Sequence, residues 1–202
     1  MSLKCIALFS CLSLFVHFST RAEDMKPDAD GFIHDWLLLA PIPIPEDQAG
    51  EEIDKQQIKD EAKLAPKEGD KTKINEKEFT WKKVHGKDYY FDINELLGSQ
   101  NEDVICYAVC YVNSPDEQKD LVLAMGSNDQ GKVYLNGKEI VKFTETRAIE
   151  KDQDEAKGVT LNKGVNTIVF KIANQKNNWQ GALRFKTKAG AGVTGYTVKL
   201  AP

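Results

Sequence analysis

Apolar residues in this chain fall into short runs separated by turn residues, with no long helical stripes. One run covers residues 32–39 and stops at Pro41, Pro43 and Pro45, whose alternation forbids both a helix and a central strand. Residues 79–84 carry Trp81, residues 104–112 are apolar on both faces as in the middle of a packed sandwich, and residues 121–125 form another buried run. Residues 132–135 and 139–143 flank Asn136-Gly137, a pair that readily takes the positive φ angles of a type I′ hairpin turn. Runs at 159–161, 166–173, 182–186 and 196–200 complete the set of expected strands. Regular short strands without intervening long helices predict an all-β protein, an antiparallel jelly-roll sandwich. Residues 46–77 break the pattern. They are charged, with Ile53, Ile58, Ala62 and Leu64 thinly spaced, and read either as one surface helix over residues 48–64 or as a solvated linker.

The chain has 202 residues. Its start reads as a secretory signal: Lys4, an apolar stretch over residues 5–18, then Thr20-Arg21-Ala22 at the cleavage positions, predicting removal of residues 1–22. That stretch is shorter than the roughly 20 residues a spanning helix needs, and Ser10, Ser13 and His17 interrupt it. The expected product is secreted or periplasmic, without a membrane span. It has a disordered start over residues 23–30 and one sandwich domain over residues 31–202. Net charge is −4, about −6 without Lys4 and Arg21, and the lysines are interspersed with acids, which argues against a nucleic-acid partner. Cys106 and Cys110 remain as the two thiols. In a strand they lie about 13 Å apart, beyond the roughly 7 Å limit for bridged Cα atoms, so both are expected free and buried.

Little in the composition supplies catalysis. There is no Gly-x-Ser-x-Gly elbow, and Ser127, in an expected loop, reads as a structural hydroxyl. His34, His85, Cys106 and Cys110 show no zinc-ligand spacing, and no phosphate-cradling glycine loop opens a helix. Glu150, Asp152, Asp154 and Glu155 begin like a calcium loop, but Ala156 and Lys157 occupy positions where a ligand and a glycine are needed, so a solvated acidic loop is the expectation. No two carboxylates are visibly paired as a glycosidase requires. The expectation is a binding protein with no cofactor and no metal, not an enzyme.

Three phrases fit a family pattern: Asp35-Trp36-Leu37-Leu38-Leu39-Ala40-Pro41; the stretch from Gly126-Ser127-Asn128-Asp129-Gln130-Gly131 to Asn136-Gly137; and that from Leu161-Asn162-Lys163-Gly164-Val165-Asn166 to Ile172. Together they resemble the galactose-binding-domain-like jelly rolls, including the sugar-binding domains of family 2 glycoside hydrolases and similar modules of secreted bacterial proteins. The resemblance spans residues 31–188. It departs from the usual Gly-Ser-Asp-Asp-Gly loop, with Asn128 in place of the first Asp and Gln130 inserted before Gly131. Asn166 after Gly164 is suited to hold a tight turn by side-chain bonds to backbone. The resemblance implies carbohydrate recognition, as an accessory to polysaccharide degradation or alone; an envelope protein-protein interaction module is the rival. It directs attention to loops assumed to share one end of the sandwich: Asn128, Asp129 and Asn178 as hydrogen-bonding groups. Trp179, in a polar turn, is either a stacking face for sugar or a ring packed over the sandwich end.

Overall fold

The structure, a computed structural model, describes residues 25–202; the expected signal segment lies outside the described residues. In chain order the strands are β1 (Asp35–Pro43), β2 (Lys71–Ile74), β3 (Lys77–Thr80), β4 (Lys82–His85), β5 (Phe91–Asp92), β6 (Val104–Ser114) and β7 (Gln118–Asn128). They continue with β8 (Gln130–Leu135), β9 (Lys138–Phe143), β10 (Asp154–Leu161), β11 (Gly164–Asn174), β12 (Gln180–Lys186) and β13 (Thr197–Lys199). Two short helices, α1 (Ala49–Glu52) and α2 (Ile93–Leu97), and one 3-10 turn at Glu61–Lys63 interrupt them.

A larger sheet runs β4-β1-β6-β11-β8-β9, with β13 also paired to β6, and faces a smaller sheet ordered β10-β7-β12-β5. Every strand pairing is antiparallel. The protein is thus an all-β sandwich. Between the sheets the Trp36, Phe91 and Phe170 rings meet at centroid distances of 5.4–6.3 Å. Cys106 and Cys110 are free and buried on β6, and burial raises both thiol pKa values.

Period-2 alternation explains why β6 is apolar on both faces. Tyr107 and Tyr111, on the face turned away from the small sheet, bond to Glu61 and to the carbonyl of Pro66. A third layer, residues 45–66, therefore covers the large sheet. Neither of the two readings of this segment holds: in place of a helix over 48–64 or a solvated linker there is a single turn at Ala49–Glu52, an irregular stretch and the 3-10 turn, packed on the sheet. The polar network behind it holds the layer down in place of a helical apolar stripe. β2 and β3 follow as a separate hairpin, and Trp81, expected inside one strand, instead sits between β3 and β4.

Residues 25–30, expected to be disordered, are tied down: Val198 N donates to Met25 O at 2.7 Å, and Asp28 Oδ1 accepts from Phe32 N at 2.8 Å. The prolines of β1 behave as their chemistry demands. β1 runs past the expected stop at Pro41 to Pro43, but β4 pairs it only over Asp35–Leu38; Pro41 falls inside the register shift between Leu39 and Ile42, and Pro43 pairs with β6 alone. Asn166 accepts from Asn162 N (2.9 Å) and donates to Asn162 O (2.8 Å) and Gly164 O (3.1 Å), the turn-holding role its sequence position suggests.

Candidate functional site at one end of the sandwich

The β7–β8 connection, the β9–β10 loop and the β11–β12 loop meet at one end of the sandwich, and Asp129 is the group that joins them. Its Oδ1 accepts from Arg147 N (3.2 Å) and its Oδ2 from Gln175 N (3.0 Å), while its own N donates to Ala173 O (3.0 Å). Burial raises the carboxyl pKa against the lowering effect of the Gln175, Arg147 and Lys176 backbone. Asn128 extends the same seam. With its amide nitrogen turned toward the carbonyls it faces, it donates to Asn178 O at 2.8 Å and Arg147 O at 3.3 Å.

The structure brings Asn128, Asp129 and the backbone carbonyl of Asn178 together at one end of the sandwich, but in unequal roles, and Asn178, unlike the other two, is not among the residues lining the cleft there. Asn178 is exposed, whereas Asn128 and Asp129 are 7% and 3% exposed. Asp129 spends its carboxylate on backbone donors and so shapes the loops. Trp179 is corrected: it is fully buried, and its Nε1 donates to Ile172 O at 3.3 Å, so the ring packs over the sandwich end and offers no stacking face. The indole had to choose between a polar turn and the β11 carbonyl beneath it, and burial of its apolar area decides.

An open cleft of about 500 Å³ lies beside this seam, lined by Asp47, Asn128, Thr146, Arg147, Lys176 and Asn177 among others. Its rim is cross-linked. Thr146 donates to Gln175 Oε1 (2.9 Å), Gln175 Nε2 to Asp47 Oδ1 (3.3 Å), and Lys176 pairs with Asp47 at 3.2 Å. The Arg147 guanidinium lies 3.7 Å over the Phe143 ring, donates to Ser127 O (3.2 Å) and Oγ (2.8 Å), and pairs with Asp154. Ser127 is held in turn, donating to Asp129 O at 2.9 Å, which makes its hydroxyl structural. Sequence reasoning missed Asp47, Thr146, Arg147 and Lys176, which come from three separate segments and share no local motif. The polar run at residues 174–178 was the one visible signal.

The acidic run after residue 149 is dispersed into ion pairs. Asp152 binds Arg184 and Lys186 (2.7 Å), Glu155 binds Lys186 (2.5 Å), and Asp154 binds Arg147. Among the described residues no group of three or more His, Cys, Asp or Glu is placed to hold a metal ion, and no helix is long and apolar enough to cross a membrane.

No protein-family model matches the chain, and no curated protein matches it. Among solved structures it is similar to the PA14 domain of the antifreeze protein MpAFP, with 10% identity and a TM-score of 0.41, over 90% of this chain and 98% of that one.

Proposed function

We propose that this chain is an exported, non-catalytic binding module that recognises carbohydrate in the cleft at the end of the sandwich. The observation that carries the reading is the convergence there of amide, hydroxyl and ammonium groups from separate loops, all anchored by Asp129 and its bonds to backbone amides. Sugar hydroxyls demand fixed donors and acceptors, and a cleft whose rim is already hydrogen-bonded to itself loses little entropy on meeting them. The galactose-binding-like resemblance supports the same end of the sandwich. With Trp179 buried, the flat group left at the cleft is the Arg147 guanidinium on Phe143.

The two carboxylates that line the cleft, Asp47 and Asp129, are both engaged within the fold. Asp129 is committed to backbone donors, and Asp47 to Lys176 and Gln175. Affinity electrophoresis through gels of soluble galactomannan, xylan and mixed-linkage glucan tests the reading. The protein is expected to be retarded by at least one, and Lys176→Ala and Thr146→Ala each to weaken that retention about five-fold without a change in fold, the scale of losing one or two polar contacts. Absence of retardation together with specific capture of an envelope protein would replace sugar recognition with protein docking.

A further inference from the structure

The cleft leaves unexplained a pair of aromatic rings elsewhere on the surface. Of the six tyrosines in the chain, four are buried with hydroxyls bonded inside the fold: Tyr107 and Tyr134 to Glu61, Tyr111 to Pro66 O and Tyr196 to Gly31 O. Tyr89 and Tyr90 differ. Both are half-buried, and among the described residues neither hydroxyl has a hydrogen-bond partner. All three tryptophans, by contrast, are at most 2% exposed.

The pair is built to be held in place. The two rings pack edge to face with centroids 4.9 Å apart, and Tyr89 rests against Phe32 at 5.7 Å. Phe32 is itself capped by the Arg184 guanidinium at 4.9 Å. Immediately downstream, Phe91 pairs with Gly181 of β12, which ties the end of the loop to the small sheet. Lys151 places its ammonium 4.8 Å from the Tyr89 ring and 5.6 Å from Phe32. It arrives there on a loop that crosses β7 at Gly126, where a Cβ would sit 2.4 Å from Glu150 O, so only glycine lets the loop lie so close.

We propose that Tyr89 and Tyr90 form a second carbohydrate-contact surface, outside the cleft: a pyranose ring stacks on Tyr90, since Lys151 already lies over the Tyr89 ring, while Lys151 and Asp88, whose Oδ1 accepts from Tyr89 N at 2.7 Å, meet its hydroxyls. The proposal shares the saccharide reading of the cleft but stands on different residues. A rigid ring bordered by polar and charged groups suits a ligand that is apolar on one face and hydroxylated at its edge. A protein partner fits less well. The one exposed large aliphatic among the described residues is Val165, near the start of β11 and thus at the end opposite the cleft, so no exposed large aliphatic among them borders the two rings.

The test uses the same three polysaccharide gels, with melting temperature as the folding control. Tyr90→Ala is expected to weaken retention about tenfold, while Tyr90→Phe, which keeps the ring, stays within about twofold of the native protein. Nitration of the native protein by tetranitromethane, read by peptide mass spectrometry, gives a measurement that no unfolded variant can confuse: the retaining polysaccharide should protect Tyr89 and Tyr90. Native retention in a folded Tyr90→Ala protein, undiminished nitration in the presence of the polysaccharide, or no retention by any of the three would overturn the proposal. If Lys176→Ala weakens retention and Tyr90→Ala does not, the cleft stands and the tyrosine surface falls; the reverse pattern separates them the other way.

Discussion

Glu61 is the residue on which the covering layer turns. Its carboxylate is 1% exposed and accepts from Tyr107, from Tyr134 (2.7 Å) and from Lys171 (3.1 Å), residues 46, 73 and 110 positions away. Lys171 is fully buried and also donates to Glu52 O (3.2 Å) and Lys55 O (2.6 Å). A buried ion pair of this kind gains little over apolar residues of the same shape, but breaking it strands a charge. Glu61→Gln is therefore expected to lower unfolding free energy by about 3–5 kcal/mol in urea titration, while the double variant Glu61→Leu with Lys171→Met recovers most of the loss. Equal destabilisation by the single and double variants would show that the ion pair is not the source. Nothing near Glu61 in the sequence announced this role, because every partner is brought to it by the folding of the large sheet. Trp179 shows the converse: its polar flanks suggested a surface position, yet flanking polarity says nothing of the direction in which a side chain points at a strand's edge.

At the scale of elements, the β8–β9 hairpin was the feature most legible in advance. Asn136 and Gly137 take φ values of 52° and 80°, as a type I′ turn requires, and the Asn136 side chain accepts from Thr167 N at 2.9 Å. A Cβ at Gly137 would also lie 3.3 Å from Lys63 Cγ in the covering layer. Gly137→Val should accordingly cost about 1–3 kcal/mol, read as a lowered urea midpoint at unchanged slope, since a β-branched residue resists the left-handed region; an unchanged midpoint would count against the turn. The long strands were legible for a related reason, because alternation or a doubly apolar run is a property of the strand itself. Residues 45–66 were not, since their few apolar side chains and their polar anchors acquire meaning only against β6 and β11. Two-residue β5 offers no period at all; it exists because Gly181 and Gln180 of β12 are there to pair with.

For the molecule as a whole, the outer face of the small sheet carries an electrostatic cluster with a definite pH signature. Burial raises the Asp152 pKa, but hydrogen bonds and charge from Arg184 and Lys186 outweigh it and leave the carboxyl below its ordinary 3.8. A carboxyl whose folded pKa is lowered contributes stability above the unfolded value, and that contribution is lost as pH falls through the folded one. Stability should thus decline on acidification below about pH 4, and the decline should be shallower in Asp152→Asn; parallel curves would remove Asp152 as a cause. The antiparallel bridge between Met25 and Val198 has a mechanical consequence of another kind. In an antiparallel pair, the chain leading into one partner and the chain leading out of the other depart from the same end. A pull applied through residues 25 and 200 would therefore open this contact like a zipper, one bond at a time, instead of loading several bonds at once in shear. A chain pulled at these two positions is loaded at a single corner, and that corner yields first while the sandwich behind it is still whole.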